Sequence, residues 1–173
     1  EDIKKFGSDV VFVGAMRKKR IEELEYIYKN KFDLKVWGTG WNKLKNNYGI
    51  KKVCTNIPVY AEDMSKVFQT SKIVLGFLNA ENRDLHTART FEVPACMGFL
   101  LAERTDEHKE IFIEGKEAEF FEGLDELCEK TKFYLKNEDL RKQIAINGYK
   151  KVKKLNATYE ERSKVILNEI LSL

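Results

Sequence analysis

Between Asp9 and Trp37 the chain reads as strand, helix and strand in fewer than thirty residues, and this constrains its fold more than any other feature. Asp9-Val10-Val11-Phe12-Val13-Gly14 is a short apolar run closed by glycine, the pattern of a strand covered on both faces. Residues 17–30 follow at helical spacing, with Ile21, Leu24 and Tyr28 and their neighbours Glu25 and Ile27 forming a stripe and charges outside it. Asp33 to Trp37 is the second strand, closed by Gly38-Thr39-Gly40. Strands joined by a helix in so short a span pair in parallel through a right-handed crossover.

The same alternation runs on. Val53 and Cys54 are placed on a short third strand, and Asp63 to Gln69 on a short helix with Met64, Val67 and Phe68 on one side. Lys72 to Phe77 is the clearest buried strand, followed by a polar loop over Asn79 to Asp84. Thr87 to Met97 is expected to be helical, with Pro94 kinking it or removing one backbone bond. Gly98 to Ala102 is the next strand, and Ala118 to Phe121 a last short one. From Leu124 onward three helices are expected: one through Leu127, Cys128, Thr131, Tyr134 and Leu135, one over 138–154 with Leu140, Ile144 and Ala145 inward, and one from Tyr159 to Leu171 with Val165, Ile166 and Ile170. This pattern predicts an α/β fold: a Rossmann-like three-layer α/β/α arrangement with a mainly parallel sheet and C-terminal helices. Residues 1–8 read as a linker and 9–173 as one domain. The absence of an initial methionine gives the expectation of a processed chain or a piece of a longer one.

Composition excludes several classes. The longest apolar runs, 73–78 and 98–102, fall far short of the ~18 residues of a membrane span. No secretory leader pattern is visible, so a soluble cytoplasmic protein is expected. Cys54, Cys96 and Cys128 are odd in number, widely spaced and free of any CxxC pair, which argues for free thiols in a reducing compartment and against a zinc site. Two histidines make a histidine-rich metal site implausible, so no metal is expected. Net charge is +3, distributed as +6 over 1–60, −8 over 61–126 and +5 over 127–173. The acidic middle opposes nucleic-acid binding, whereas a basic first third suits a compact anion such as a diphosphate.

Ligands of parallel sheets bind beyond the carboxyl ends of the strands at a topological switch point, which directs attention to the loops after Val13 and Phe77. In the first, Gly14 permits close backbone approach, the following helix start offers free amides, and Arg17 and Arg20 offer guanidinium forks for phosphate. Neither GxGxxG nor GxxxxGK[ST] occurs, so no dinucleotide or P-loop site is supported. The second loop, NAENRDLHTARTFE, places His86, Thr87 and Ala88 at a helix start with Asp84 before them. Arg89 and Glu92 share a helix face; Glu92 either pairs with Arg89 or accepts the two hydroxyl hydrogen bonds of a ribose. Trp37, Trp41, Tyr48 and Tyr60 are aromatic candidates for stacking on a base, though core packing suits residues at strand ends better. Glu117 and Glu119 read as solvated acids that could meet the cleft.

The strings FVGAMRKKR, WGTGW and KIVLGFLN…TARTFEVPACMGFLLAE, continued by EAEFFEGLDELCEKTKFYLKNEDLRKQIAINGYKKV and by Thr158 to Arg162, resemble the CgeB-like, group 1-like glycosyltransferases over residues 9–171. The resemblance implies one half of a GT-B fold, the C-terminal, donor-binding domain. The partner would be a nucleoside-diphosphate sugar (UDP-, GDP- or dTDP-sugar), with a glycan, lipid or protein acceptor held by an N-terminal domain outside this chain. It implies retaining, metal-independent transfer. In the family's E-x7-E motif, Glu92 takes the ribose position and Asp84 stands where the first, sugar-side glutamate is usual. Arg20 matches the family's diphosphate-binding basic residue and Arg17 more weakly; Arg89 matches the arginine before F-E. Asp84 and Arg20 are thereby the expected catalytic pair; Gly14, Arg17, Arg20, His86, Thr87, Ala88, Arg89 and Glu92 are the expected donor-binding set. Met97 stands where relatives often carry glycine. The competing reading is a non-catalytic nucleotide- or ligand-binding module, flavodoxin-like or a degenerate transferase.

Overall fold

The computed structural model describes residues 1–172. Five strands, β1 (Val10–Val13), β2 (Leu34–Trp37), β3 (Ile73–Gly76), β4 (Leu100–Glu103) and β5 (Glu119–Phe121), form one sheet. Their order is β2-β1-β3-β4-β5, and each neighbouring pair is parallel. Val10 is in register with Leu34 on one side and Ile73 on the other. The chain steps outward from β1 to β2, then crosses back to place β3 on the other side of β1. The direction of winding therefore reverses between β1 and β3, and their carboxyl ends open a crevice.

Eight α-helices surround the sheet: α1 (Asp2–Phe6), α2 (Lys18–Lys29), α3 (Ala61–Thr70), α4 (Ala88–Ala95), α5 (Asp106–Ile111), α6 (Gly123–Lys136), α7 (Glu138–Leu155) and α8 (Tyr159–Leu171). Side chains alternate across each strand, so every strand feeds two cores. Val10 and Phe12 pack with Leu24 and Ile27 of α2 and Leu127 of α6. Val11 and Val13 pack with Val67 and Phe68 of α3 and Val93 of α4. α7 serves both layers, giving Ile144 and Ala145 to the first and Val152 to the second.

Several details depart from the sequence reading. Residues 2–6 of the expected linker form α1, and Phe6 is buried against Trp37 in the second core. The third strand at Val53-Cys54 reduces to a single bridge between Val36 and Cys54, because Asn56 turns left-handed (φ 53°) and ends the extension. α5 was not expected; Thr105 begins it by accepting the N–H of His108 at 3.0 Å. Leu140 in α7 faces solvent. α8 buries nothing: Val165, Ile166 and Ile170 are more than half exposed. Glu23, one of the charges read outside the α2 stripe, is buried, as is Glu25, placed with the stripe. No helix among the described residues is long and apolar enough to cross a membrane. All three cysteines are free; Cys128 is buried, Cys54 and Cys96 half-buried.

Candidate functional site

The loop after β1 is fixed from behind by backbone. Gly14 N–H donates to the Trp37 carbonyl at 2.9 Å and Met16 N–H to that of Thr39 at 3.0 Å. Trp41 Nε1–H donates to the Gly14 carbonyl at 2.9 Å. Gly38 sits at φ +134° so close that a Cβ there would lie 2.1 Å from the Gly14 carbonyl oxygen. The two glycine turns thus pack main chain on main chain, which only a residue without Cβ allows.

Arg20 projects from the first turns of α2 into the space between the tips of β1 and β3. Its Nη1 donates to the Ala15 carbonyl at 3.1 Å, and Nη2 reaches the Phe77 carbonyl at 3.5 Å. The guanidinium lies over the Phe12 ring, 5.4 Å from its centroid. Its Nε is buried without a hydrogen-bond partner. Burial lowers the Arg20 pKa from its usual value, and repulsion from Arg17 adds to this. A cation so desolvated, with a donor to spare and no carboxylate in contact, is a receptive place for an anion. Arg17 itself is exposed and immediately precedes α2.

Arg89 comes to the same edge from α4. Its Nε donates to the Val13 carbonyl at 3.3 Å, its guanidinium lies over Phe68, and Nη1 is paired with Glu92. Arg89 also contributes to the repulsion felt by Arg20. Arg20, Ala15, Val13, Arg89 and Glu92 therefore form one continuous set of neighbours along the carboxyl edge of the sheet, as the crevice between β1 and β3 requires. Cavities border both members of the Arg89–Glu92 pair. One of about 120 Å³ is lined by Gly14, Gly38, Thr39, Tyr60 and Arg89, among others. The other, about 430 Å³, is lined by His86, Thr87, Ala88, Phe91, Glu92 and residues around the start of α8.

The structure thus brings together Gly14, Thr87, Ala88, Arg89 and Glu92, with Arg20 just behind the β1 tip. It does not bring Asp84 in: the residue is half-buried in the β3–α4 loop and lines neither cavity. His86 pairs with Glu107 and meets the Phe91 ring edge-on. Of the aromatic candidates, Trp37 and Trp41 are buried, Tyr48 packs partly buried on the first core, and Tyr60 is 72% exposed beside Gly14. Glu119 is not a solvated acid: it is buried at the start of β5, bound by Lys130 and Tyr134. Glu117 accepts the Ile113 N–H at 2.9 Å in the preceding turn. Among the described residues no cluster of three or more His, Cys, Asp and Glu side chains could hold a metal ion.

Three nearby residues escaped the sequence reading. Glu103 ends β4, where it accepts the Leu78 N–H at 2.5 Å and pairs with Lys19. Tyr159 and Arg162, at the start of α8, line the larger cavity. Glu103 was legible in principle, because the last residue of a parallel strand faces the ligand edge. The α8 pair was not, since its place depends on how α7 ends.

The glycosyl transferase-like family model matches residues 17–168. No curated protein matches the chain in sequence. Among solved structures, HepE of Anabaena in complex with UDP-glucose superposes with a TM-score of 0.78 at 12% identity, over 99% of this chain and 53% of that one. Sucrose-phosphate synthase of Thermosynechococcus elongatus gives 0.71 at 14% identity, over 95% and 46%. The C-terminal domain of a group 1 family glycosyl transferase, LpcC, of Francisella tularensis gives 0.60 at 18% identity, over 87% and 85%. The chain thus spans about half the length of HepE and of the synthase, and its sheet and helices match one Rossmann-like domain of such GT-B proteins. With most of its length under the family model and this architecture, the chain belongs to the glycosyl transferase-like family.

Proposed function

We propose that this chain is the donor-binding domain of a CgeB-like glycosyltransferase, taking a nucleoside-diphosphate sugar such as a UDP-, GDP- or dTDP-sugar. The observation that carries the reading is the half-buried Arg20 side chain, with its Nε buried and unpartnered, at the β1–β3 crevice next to the Arg89–Glu92 pair. In this reading Arg20 and Arg89 face the diphosphate, with Arg17 at the rim. First-turn N–H groups of α4 at Ala88 and Arg89 meet it end-on. Glu92 exchanges part of its pairing with Arg89 for the ribose hydroxyls. His86 and Thr87 border the sugar side. During transfer the bond between the sugar's anomeric carbon and the diphosphate oxygen breaks, and the diphosphate keeps the electron pair. An acceptor hydroxyl oxygen forms the new bond and passes its proton to the departing diphosphate oxygen. The arginines and helix-end amides stabilise the charge growing on the leaving group, which needs no metal ion. A retaining outcome and a glycan, lipid or protein acceptor on a second domain follow from the family resemblance.

HepE forms crystalline complexes with UDP-glucose and with UDP, which supports a uridine donor as the first to test. Calorimetry with UDP, GDP, dTDP, CMP and flavin mononucleotide tests the reading directly. Binding of one nucleoside diphosphate, weakened by about 1–3 kcal/mol in Arg20→Ala and in Glu92→Ala, is the expected result. Affinities untouched by both substitutions refute the site. A second reading, a non-catalytic binding module, is favoured by Asp84 alone, which stands outside both cavities. It predicts nucleotide binding that Asp84→Ala leaves unchanged and no transfer by the longer protein.

A further inference from the structure

Two side chains behind the first turn of α4 have no task in the donor-site reading. Thr90 is 2% exposed and His108, from α5, is 1% exposed. The imidazole lies flat on Phe120, with centroids 5.2 Å apart and planes 7° from parallel. Its Nδ1 is 2.7 Å from the Glu103 carbonyl oxygen and its Nε2 is 2.9 Å from Thr90 Oγ1. A carbonyl oxygen only accepts, so Nδ1 carries the proton and Nε2 of the neutral ring is bare. The Thr90 hydroxyl must then donate to Nε2, while its oxygen accepts the Thr87 N–H at 3.1 Å. Hydrogen bonds thus run one way, from the Thr87 amide through Thr90 and His108 to the main chain of β4.

The same segment holds the loop before α4. The Thr105 hydroxyl donates to the Leu85 carbonyl at 2.7 Å and accepts the His108 N–H at 3.0 Å. The Glu103 carboxylate takes the Leu78 N–H. Both ends of the stretch 78–85, which carries Asp84, are therefore anchored to residues 103–108, and His86 just beyond it pairs with Glu107. A leucine at 108 would fill the space against Phe120 but leave the Thr90 hydroxyl without an acceptor and the Glu103 carbonyl without a donor. An imidazole meets both needs on one rigid ring.

We infer that His108, acting through Thr90, is a positioning residue of the donor site, holding the start of α4 where its amides and Glu92 receive the nucleotide sugar. The inference rests on the donor-site reading and adds a residue that touches no ligand. It requires His108 to be neutral. A second ring proton would place Nε2–H against the Thr90 oxygen and force the hydroxyl proton to leave its only acceptor. Burial lowers the His108 pKa from the usual 6.5, so the break falls on the acid side. Of the other groups facing the ring, His86 acts in the same direction, whereas Glu103 and Glu107 oppose it.

The test uses His108→Leu and the near-isosteric Thr90→Val, each checked for folding by circular dichroism. Amide hydrogen exchange over 85–91 is read in the free chain, and UDP-glucose affinity by calorimetry. UDP-glucose is chosen because its diphosphate diester keeps its charge as the pH is lowered. Both variants should lose protection at Thr87 and Thr90, whose N–H groups are hydrogen-bonded at the start of α4, and bind about tenfold more weakly, the scale of one disturbed charged hydrogen bond. Wild-type affinity should fall in acid with a single proton, in His86→Asn as well, and the fall should vanish in His108→Leu. Folded variants with unchanged protection, or with unchanged affinity, overturn the inference; if His108→Leu does not fold, Thr90→Val decides. Arg20→Ala and Glu92→Ala run alongside. A wild-type chain that binds no nucleotide sugar, or binds it indifferently to those two substitutions, removes the donor-site reading, and the exchange data then judge the positioning of α4 alone.

Discussion

Replacing Glu23 with glutamine should stabilise the protein in mild alkali and hardly at all in mild acid. Glu23 lies in α2, one turn beyond Arg20 and Lys19, and is 5% exposed. Its Oε1 is 3.5 Å from Lys19 Nζ, and its Oε2 is buried without a hydrogen-bond partner. Burial, followed by the neighbouring Glu103 charge, pushes its carboxyl from the usual 4.5 up to about 7. Between those two values the folded protein keeps a proton that the unfolded chain has released. Stability is therefore lost as the pH rises from 4.5 through 7. At ~1.4 kcal/mol per pH unit the full loss is roughly 3 kcal/mol, complete by about pH 8 and under about 1 kcal/mol at pH 5. Glutamine keeps an oxygen for Lys19 and cannot ionise. For a chain of this size, 3 kcal/mol is a midpoint shift of about 6–12 °C. Thermal unfolding followed by circular dichroism at the two pH values checks it. A Glu23→Gln midpoint gain that is the same at both, or a loss at pH 8, refutes the reasoning.

Two further substitutions test how the site is built. Gly38→Ala forces a Cβ to within 2.1 Å of the Gly14 carbonyl at a φ of +134°. It should cost about 3 kcal/mol, read as a lower urea midpoint, and weaken nucleotide binding by displacing the turn after β1. Met97→Gly should do the opposite. Met97 is left-handed at φ 58° in the turn between α4 and β4, and 54% exposed. Glycine removes that strain at little packing cost, for a gain of about 0.5–1 kcal/mol in urea unfolding with nucleotide affinity unchanged. A loss on Met97→Gly would show that the side chain packs better than its exposure indicates.

Much of the fold was legible because strand burial and helix amphipathicity are local. Val10 to Val13 and Ile73 to Gly76 are apolar without alternation, as strands covered on both faces must be, and both lie where the pattern placed them. Local pattern failed where a neighbour distant in sequence set the outcome. Glu23 looks like a solvent-facing charge yet is buried, and the Glu25 carboxylate, beside the apolar stripe, is held inside by accepting the N–H groups of Gly49 and Ile50. Phe6 sits in an apparent linker, but Trp37 supplies its cover. Val165, Ile166 and Ile170 form an apolar spacing that no described residue buries. In the site, the Arg89–Glu92 pair followed from their separation of three along one helix. Asp84 carried the resemblance of a motif, but a loop has no fixed pitch to aim it, and it is not among the residues lining either cavity.

Residue order by itself dictated a parallel α/β layer structure and two ligand-facing loops, since periodicity of burial and the handedness of crossovers act over stretches of about 30 residues. Only the folded arrangement decided that Arg20 would be half-buried, with its Nε enclosed and unpartnered, between the tips of β1 and β3. It alone also set an imidazole from α5 behind the start of α4. Both outcomes depend on desolvation and hydrogen-bond partners drawn from strands far apart in the chain, and no local pattern encodes them.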